Sequence, residues 1–193
     1  MLPQNNTTPE QGVSRRDLLK TGLWAAAGSL LVPSVAEAAA LRMPGSGSYD
    51  IMFHNCHTGE SFSGTYRVGN KYLPDAFEEI NYVLRDFRSN EVFPIDPRVI
   101  DIIYMVRRKT GRNQPLEILS GYRSPKTNNM LREASSGVAR NSMHLSGQAI
   151  DFRMPGLSTR GLRDIAVGFK AGGVGYYPRS DFVHVDTGKV RTW

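Results

Sequence analysis

A single cysteine, Cys56, is the strongest constraint on how this chain can fold. One thiol cannot close an internal disulfide, and it cannot by itself build a thiolate zinc site. The fold must therefore rest on an apolar core, and Cys56 is expected to pack into that core as a small hydrophobe. The composition allows this, because 40% hydrophobic and 22% charged residues describe a globular chain rather than a disordered one. A length of 193 residues suits one domain. The formal charge of +6 favours a polyanionic neighbour: nucleic acid, a membrane surface or an anionic wall polymer. Aromatic residues, 9% of the chain, form no stacking ladder for single strands, so nucleic acid is not an expected partner.

The first 38 residues read as an address rather than as structure. Ser14-Arg15-Arg16-Asp17-Leu18-Leu19-Lys20 resembles a twin-arginine export signal. A mildly apolar stretch from Leu23 to Val35 follows, too short and too weakly apolar for a good transmembrane helix. Small-residue cleavage signatures come next, Ala36-Glu37-Ala38 and Ala38-Ala39-Ala40. The order implies export to the periplasm, with no integral membrane segment after signal removal. The segment holds three basic and three acidic residues, so the mature charge stays at +6.

Residues 39–49, with Pro44-Gly45-Ser46-Gly47-Ser48, form a flexible lead-in to a domain over 50–193. Ile51–Asn55 and Ser61–Val68 alternate around Thr58-Gly59, which predicts a β-hairpin. Leu73–Ser89 reads as one helix with Phe77, Ile80, Val83, Leu84 and Phe87 on a face. A second helix is bracketed by Asp96 as N-cap, Pro97 at its first position and Gly111 past its end. Leu116–Ser120 is a short strand, and Pro125–Ala134 a helix followed by a polar loop to His144. Ala149–Phe152 is a strand, Ser158 caps a last helix, and Val174–Tyr177 and Phe182–Asp186 are strands around Pro178-Arg179-Ser180. Helices early and short strands late predict an α+β class, a central antiparallel sheet with helices packed to one side.

The chemistry concentrates in two late segments. Ser142-Met143-His144-Leu145-Ser146-Gly147-Gln148-Ala149-Ile150-Asp151 offers an imidazole on a loop, a glycine turn and a carboxylate on a strand. In Asp181-Phe182-Val183-His184-Val185-Asp186, alternation sends His184 and Asp186 to one face. A catalytic zinc takes three N/O ligands and keeps a fourth position open. His144, Asp151 and His184 would supply two neutral nitrogens and one carboxylate, leaving the ion positive enough to acidify a water. Asp181, at the strand entrance, could accept that proton, and Arg123 could polarise a carbonyl or hold a carboxylate. Each residue also has an ordinary reading: packed histidines, a turn glycine, a strand aspartate bonded to backbone. His54, Cys56 and His57 lie too close together on a hairpin to surround one ion and read as structural.

Ser142-x-His144-x-x-Gly147-x-Ala149-x-Asp151 followed by Asp181-x-x-His184 resembles the zinc D-Ala-D-Ala peptidase group, which shares its fold with lysostaphin-type enzymes and the hedgehog signalling domain. Arg123 in Ser120-Gly121-Tyr122-Arg123-Ser124 matches the group's arginine. From His57-Thr58-Gly59-Glu60 to Trp193, and most clearly in Gly173-Val174-Gly175-Tyr176-Tyr177-Pro178-Arg179-Ser180, the chain is similar to the twin-arginine-exported murein endopeptidases of the YcbK type. The resemblance implies one zinc per chain on His144, Asp151 and His184, and hydrolysis of peptide cross-links between peptidoglycan stem peptides, with diaminopimelate-type links fitting it best. It implies catalytic roles for Arg123 and for Asp181 as general base. Asp186 is the alternative proton acceptor, or an anchor for an imidazole. Two other functions stay open: a D,D- or L,D-carboxypeptidase that trims stem peptides, and a non-catalytic zinc-containing wall-binding module.

Replacing Arg15 and Arg16 together by lysine is expected to trap the precursor in the cytoplasm. Fractionation of cells producing the double variant checks this, and normal periplasmic arrival would refute the signal.

Overall fold

The computed structural model describes residues 43–135 and 137–193; the export segment and residues 39–42 of the lead-in lie outside the described residues. β1 (Ser48–Asn55) and β2 (Ser61–Val68) form the expected hairpin, with Phe53 opposite Phe62. Asn55 N–H donates to Glu60 O at 2.8 Å across the turn, and Gly59 supplies a left-handed residue at φ 74°. Cys56 lies in this turn and is exposed, not packed in the core as its residue type suggested. The cause is position: Tyr49, Ile51, Phe53 and Asn55 take the buried sites of β1, and the chain turns directly after them.

A two-residue strand, β3 (Lys71–Tyr72), pairs with β2 and leads into α1 (Pro74–Val83). The apolar periodicity predicted this helix as far as Ser89, but it stops at Val83. Asp86 is the physical reason. Its Oδ1 accepts the N–H groups of Arg88 at 2.9 Å and Ser89 at 3.4 Å, offering the backbone a turn in place of helical bonds. Leu84 is still buried, and Phe87 stacks on His57 with centroids 4.0 Å apart, so both apolar positions are used outside a helix.

α2 (Pro97–Thr110) has the predicted caps. Asp96 accepts Arg98 N–H at 3.0 Å, and Gly111 closes the helix at φ 66°. There follow β4 (Leu116–Ser120), α3 (Pro125–Ala134), a single 3-10 turn (Met143–Ser146), β5 (Ala149–Arg153), α4 (Thr159–Gly168), β6 (Gly173–Tyr177), β7 (Phe182–Asp186) and β8 (Arg191–Thr192). The eight strands form one sheet in the order β3-β2-β1-β4-β5-β7-β6-β8. The class is α+β as expected, but the sheet is mixed: β1–β4 and β6–β8 run parallel and the other pairs antiparallel. β1 reaches β4 through the helical connection of α1 and α2, which permits a parallel neighbour.

α2 packs on β1 and β7, α4 on β6 and β7, and the two helices touch. Ile51, Phe53, Leu116, Ile118, Ile150, Phe152, Val183 and Val185 join Val99, Ile100, Ile103, Leu162 and Ala166 in one core. Because strand side chains alternate, Asp151, His184 and Asp186 point away from that core, to the opposite face of the sheet. Among the described residues no helix is long and apolar enough to cross a membrane.

Asp86 also ties the turn after α1 to the segment before α3, because its Oδ2 accepts Ser124 N–H at 2.8 Å. Burial pushes its carboxyl up, but hydrogen bonds from Thr127, Ser124 and the Arg88 N–H outweigh this and bring the pKa down to about 2. A depressed folded-state pKa gives stability that is present above the ordinary value of about 3.9 and lost as pH falls through the folded value. Asp86→Ala should cost about 1–3 kcal/mol at pH 7. The gap from the parent should narrow between about pH 4 and pH 2. Urea unfolding midpoints of both proteins across this range check it; a constant gap would count against Asp86 as the source.

Candidate metal centre

The antiparallel register of β5 and β7 sets Asp151 directly opposite His184. Their side chains meet on the open face, His184 Nδ1 lying 2.8 Å from Asp151 Oδ1. His144 arrives from the 3-10 turn. Ser142 caps that turn, its Oγ accepting His144 N–H at 3.4 Å, and Gly147 ends it at φ 65°. A Cβ on Gly147 would lie 2.2 Å from Pro94 O, so both the backbone angle and the space require glycine. Its carbonyl accepts Asp96 N–H at 2.9 Å, tying the turn to the start of α2. His144 Nε2 then lies 3.2 Å from Asp151 Oδ2 and 3.2 Å from His184 Nδ1.

The outer nitrogens assign the tautomers. His144 Nδ1 is 2.7 Å from the carbonyl of Gly121, an acceptor only, so this nitrogen carries the hydrogen. His184 Nε2 is 3.0 Å from Asp186 Oδ2 and donates to it. Nε2 of His144, Nδ1 of His184 and a carboxylate oxygen of Asp151 are left facing one another, all within 4.8 Å. Three lone-pair donors converging in a buried site repel unless a cation lies among them, so this donor set fits a metal ion. The electrostatics agree. Burial pushes His184 down, but the Asp151 and Asp186 carboxylates outweigh it and push its pKa up to about 9. Asp151 is held far below the usual carboxylate range by His144 and His184, against its own burial. The cluster demands positive charge, as a proton or as a metal.

The other expected residues divide. Arg123 lines the same cleft, with Nη2 3.7 Å from Asp151 Oδ2 and 3.4 Å from Ser120 Oγ; its buried Nε has no protein partner. Asp186 is 0% exposed and fully engaged. Its Oδ1 accepts from Gly173 N at 3.1 Å, Gly188 N at 2.9 Å and Arg191 Nη1 at 3.1 Å; its Oδ2 accepts from Arg191 Nη2 at 2.6 Å and from His184. It is placed to orient His184. Asp181 is not brought to the cluster. It takes a left-handed φ of 52°, its side chain is 63% exposed, and it accepts a hydrogen bond from Thr159 Oγ1 with Arg153 Nη1 4.0 Å away. Tyr177, Phe182, Arg191 and Trp193 also line the cleft, none of which the sequence had marked as site residues. The aromatic pair bracketing Pro178-Arg179-Ser180 was the available signal; Tyr177 and Phe182 stack with centroids 4.5 Å apart. His54 Nε2 and Cys56 Sγ lie 4.0 Å apart, and among the described residues neither joins a ligand cluster.

A buried two-histidine, one-carboxylate donor set on the open face of an α+β sheet, with an arginine beside it, has the donor chemistry that a metal-dependent peptidase requires. The chain belongs to the peptidase family described as peptidoglycan L,D-endopeptidase MepK, which matches residues 45–193. It is 41% identical over 180 residues to the peptidoglycan L,D-endopeptidase MepK of Escherichia coli strain K12, covering 93% of this chain and 97% of the relative. It is 43% identical over 144 residues to the probable peptidoglycan L,D-endopeptidase MepK of Haemophilus influenzae, covering 74% and 77%.

Removing the carboxylate that orients His184 should weaken metal binding without removing a donor. Asp186→Ala is expected to lower metal affinity about 10–100-fold, the usual cost of losing such a partner. Competition against a chromogenic chelator measures it, and parent-like affinity would contradict the anchoring role.

Proposed function

We propose that the chain is a zinc-dependent endopeptidase that cuts L,D cross-links between peptidoglycan stem peptides in the periplasm, after export directed by residues 1–38. The observation that carries the reading is the convergence of His144 Nε2, His184 Nδ1 and an Asp151 oxygen with their outer atoms already committed. The names of both relatives support the substrate, and the basic charge of +6 suits an anionic wall. Zinc on these donors would supply Lewis acidity toward the scissile carbonyl and acidify a water toward neutral pH.

The chain's own residues do the rest. Gly121 O and Asp186 hold the two imidazoles in the tautomers that present a lone pair inward. Arg123 keeps its proton despite burial and lines the cleft beside the donor set, so its guanidinium can hold the scissile carbonyl oxygen as negative charge develops. For the proton acceptor we retain Asp181, because Asp186 has every lone pair engaged. Asp181 must exchange its Thr159 bond to reach the cleft.

Purified sacculi digested with the zinc-loaded protein should lose their directly linked diaminopimelate dimers, as read by mass spectrometry of the muropeptides. Chelator should abolish the activity and added zinc restore it. Asp181→Ala should keep zinc and lose about 10²–10⁴-fold in kcat. Release of terminal D-alanine alone would mean a carboxypeptidase; no released product with full zinc occupancy would mean a binding module. A fully active Asp181→Ala enzyme would remove the proton-acceptor role from that residue.

A further inference from the structure

Trp193 is 49% exposed, an uncommon position for so large an apolar ring. It is nevertheless held in place at three points. Its N–H donates to Val174 O at 3.3 Å, its carbonyl accepts Tyr176 N–H at 2.9 Å, and its indole Nε1 donates to Tyr177 Oη at 2.8 Å. The guanidinium of Arg191 lies 4.8 Å from the ring centroid, adding a cation–π contact. The sequence also leaves room for the ring. A Cβ on Gly175 would lie 2.8 Å from both the Trp193 and Tyr177 rings, so glycine at this position of β6 lets the indole settle against the sheet. The result is a fixed, half-open aromatic wall whose centroid is 5.2 Å from that of His184, a member of the donor set.

Two things define what this wall fits. Its distance from His184 puts it within one residue of the bond to be cut, too near for a glycan strand that the stem peptide keeps several residues away. The rest of the cleft lining is the second. Arg191 is bonded to Asp186, and Arg123 lies beside the donor set, so the indole is the free apolar surface next to His184. A rigid apolar wall there suits an aliphatic chain. A directly linked pair of diamino acids carries such a chain next to the scissile bond.

We infer that Trp193 is a substrate-positioning residue, its indole packing against the aliphatic arm of the diamino acid beside the scissile bond. The inference rests on the endopeptidase reading above and adds the feature of the substrate that this wall recognises. Tyr177 and Arg191 fix the indole, and Gly175 makes its seat.

The test is steady-state kinetics of the full chain on a purified dimer with a direct diaminopimelate link, with zinc content measured on each preparation. Trp193→Ala should raise KM about 10–100-fold, the scale of losing one well-packed aromatic contact. Its kcat should change less than about threefold and its zinc content not at all, and Trp193→Phe should recover most of the loss. Free meso-diaminopimelate should inhibit the parent competitively where D-alanine does not, and Trp193→Ala should lose that inhibition. Unchanged KM in Trp193→Ala would overturn the inference. So would loss of zinc or of kcat alone, since the ring would then act only through His184. Equal inhibition by D-alanine would overturn the assignment of the arm. A parent that cuts no dimer refutes the endopeptidase reading and this inference with it, whereas an active parent beside an unaffected Trp193→Ala refutes the inference alone.

Discussion

The pairing of Asp151 with His184 across β5 and β7 is the constraint on which the site depends. A strand has two faces and a period of two, so one decision fixes both. On one face Ile150, Phe152, Val183 and Val185 are fully buried against the helices. Each such side chain contributes about 1.5–3 kcal/mol relative to exposure. A slip of one residue would turn these four to the open side and drive two ionisable groups into the core, at a further desolvation cost. The apolar face therefore sets the register, and the donor geometry follows from it. No local preference of Asp151 or His184 is needed to bring them together.

The third donor is held differently. His144 sits on a 3-10 turn, with no sheet register to place it, and its position depends on close packing between segments. Gly147 against Pro94, the Asp96 N–H on the Gly147 carbonyl and the Gly121 carbonyl on Nδ1 tie it to three parts of the chain. Gly121 is itself tightly packed, since a Cβ there would lie 2.4 Å from Leu84 O, the carbonyl that accepts Tyr122 N–H at 2.8 Å. Asp86 completes the contact through Ser124. The early end of helix α1 thus has a purpose: its last turn is given up so that Leu84 and Asp86 can hold the segment carrying Arg123 and the partner of His144.

Much of this was legible in the chain. The hairpin, the bracketed helix α2 and the late strands follow from alternation, cap residues and spacing, while the three donors are candidates by residue type that the family resemblance joins into one set. What escaped was set by side chains acting outside their own element. Apolar periodicity runs on through Leu84 and Phe87 and so overstates α1, while Asp86 redirects the backbone. Residue type alone puts Cys56 in the core, and its turn position overrides that. The parallel pairings of β1 with β4 and of β6 with β8 depend on connections, which short-range patterns do not encode. Trp193 carried no motif, and only the return of β8 to β6 brings it to the cleft.

The charge of the molecule works on two scales, and only one reaches the chemistry. The formal +6 acts beyond the site, over a range cut to about 8 Å by physiological salt. Inside the cleft the balance is local. Asp186 cancels Arg191 and orients His184, while Asp151 sits with the donors and draws Arg123 to within 3.7 Å. Arg191 joins the two layers: one side grips Asp186, and the same guanidinium lies over Trp193. A single side chain thereby couples the carboxylate that orients a donor to the aromatic wall of the cleft. The short edge strand β8, otherwise exposed, delivers Arg191 and leads directly to Trp193. The support of the donor set and the shape of the adjacent surface therefore cannot vary independently.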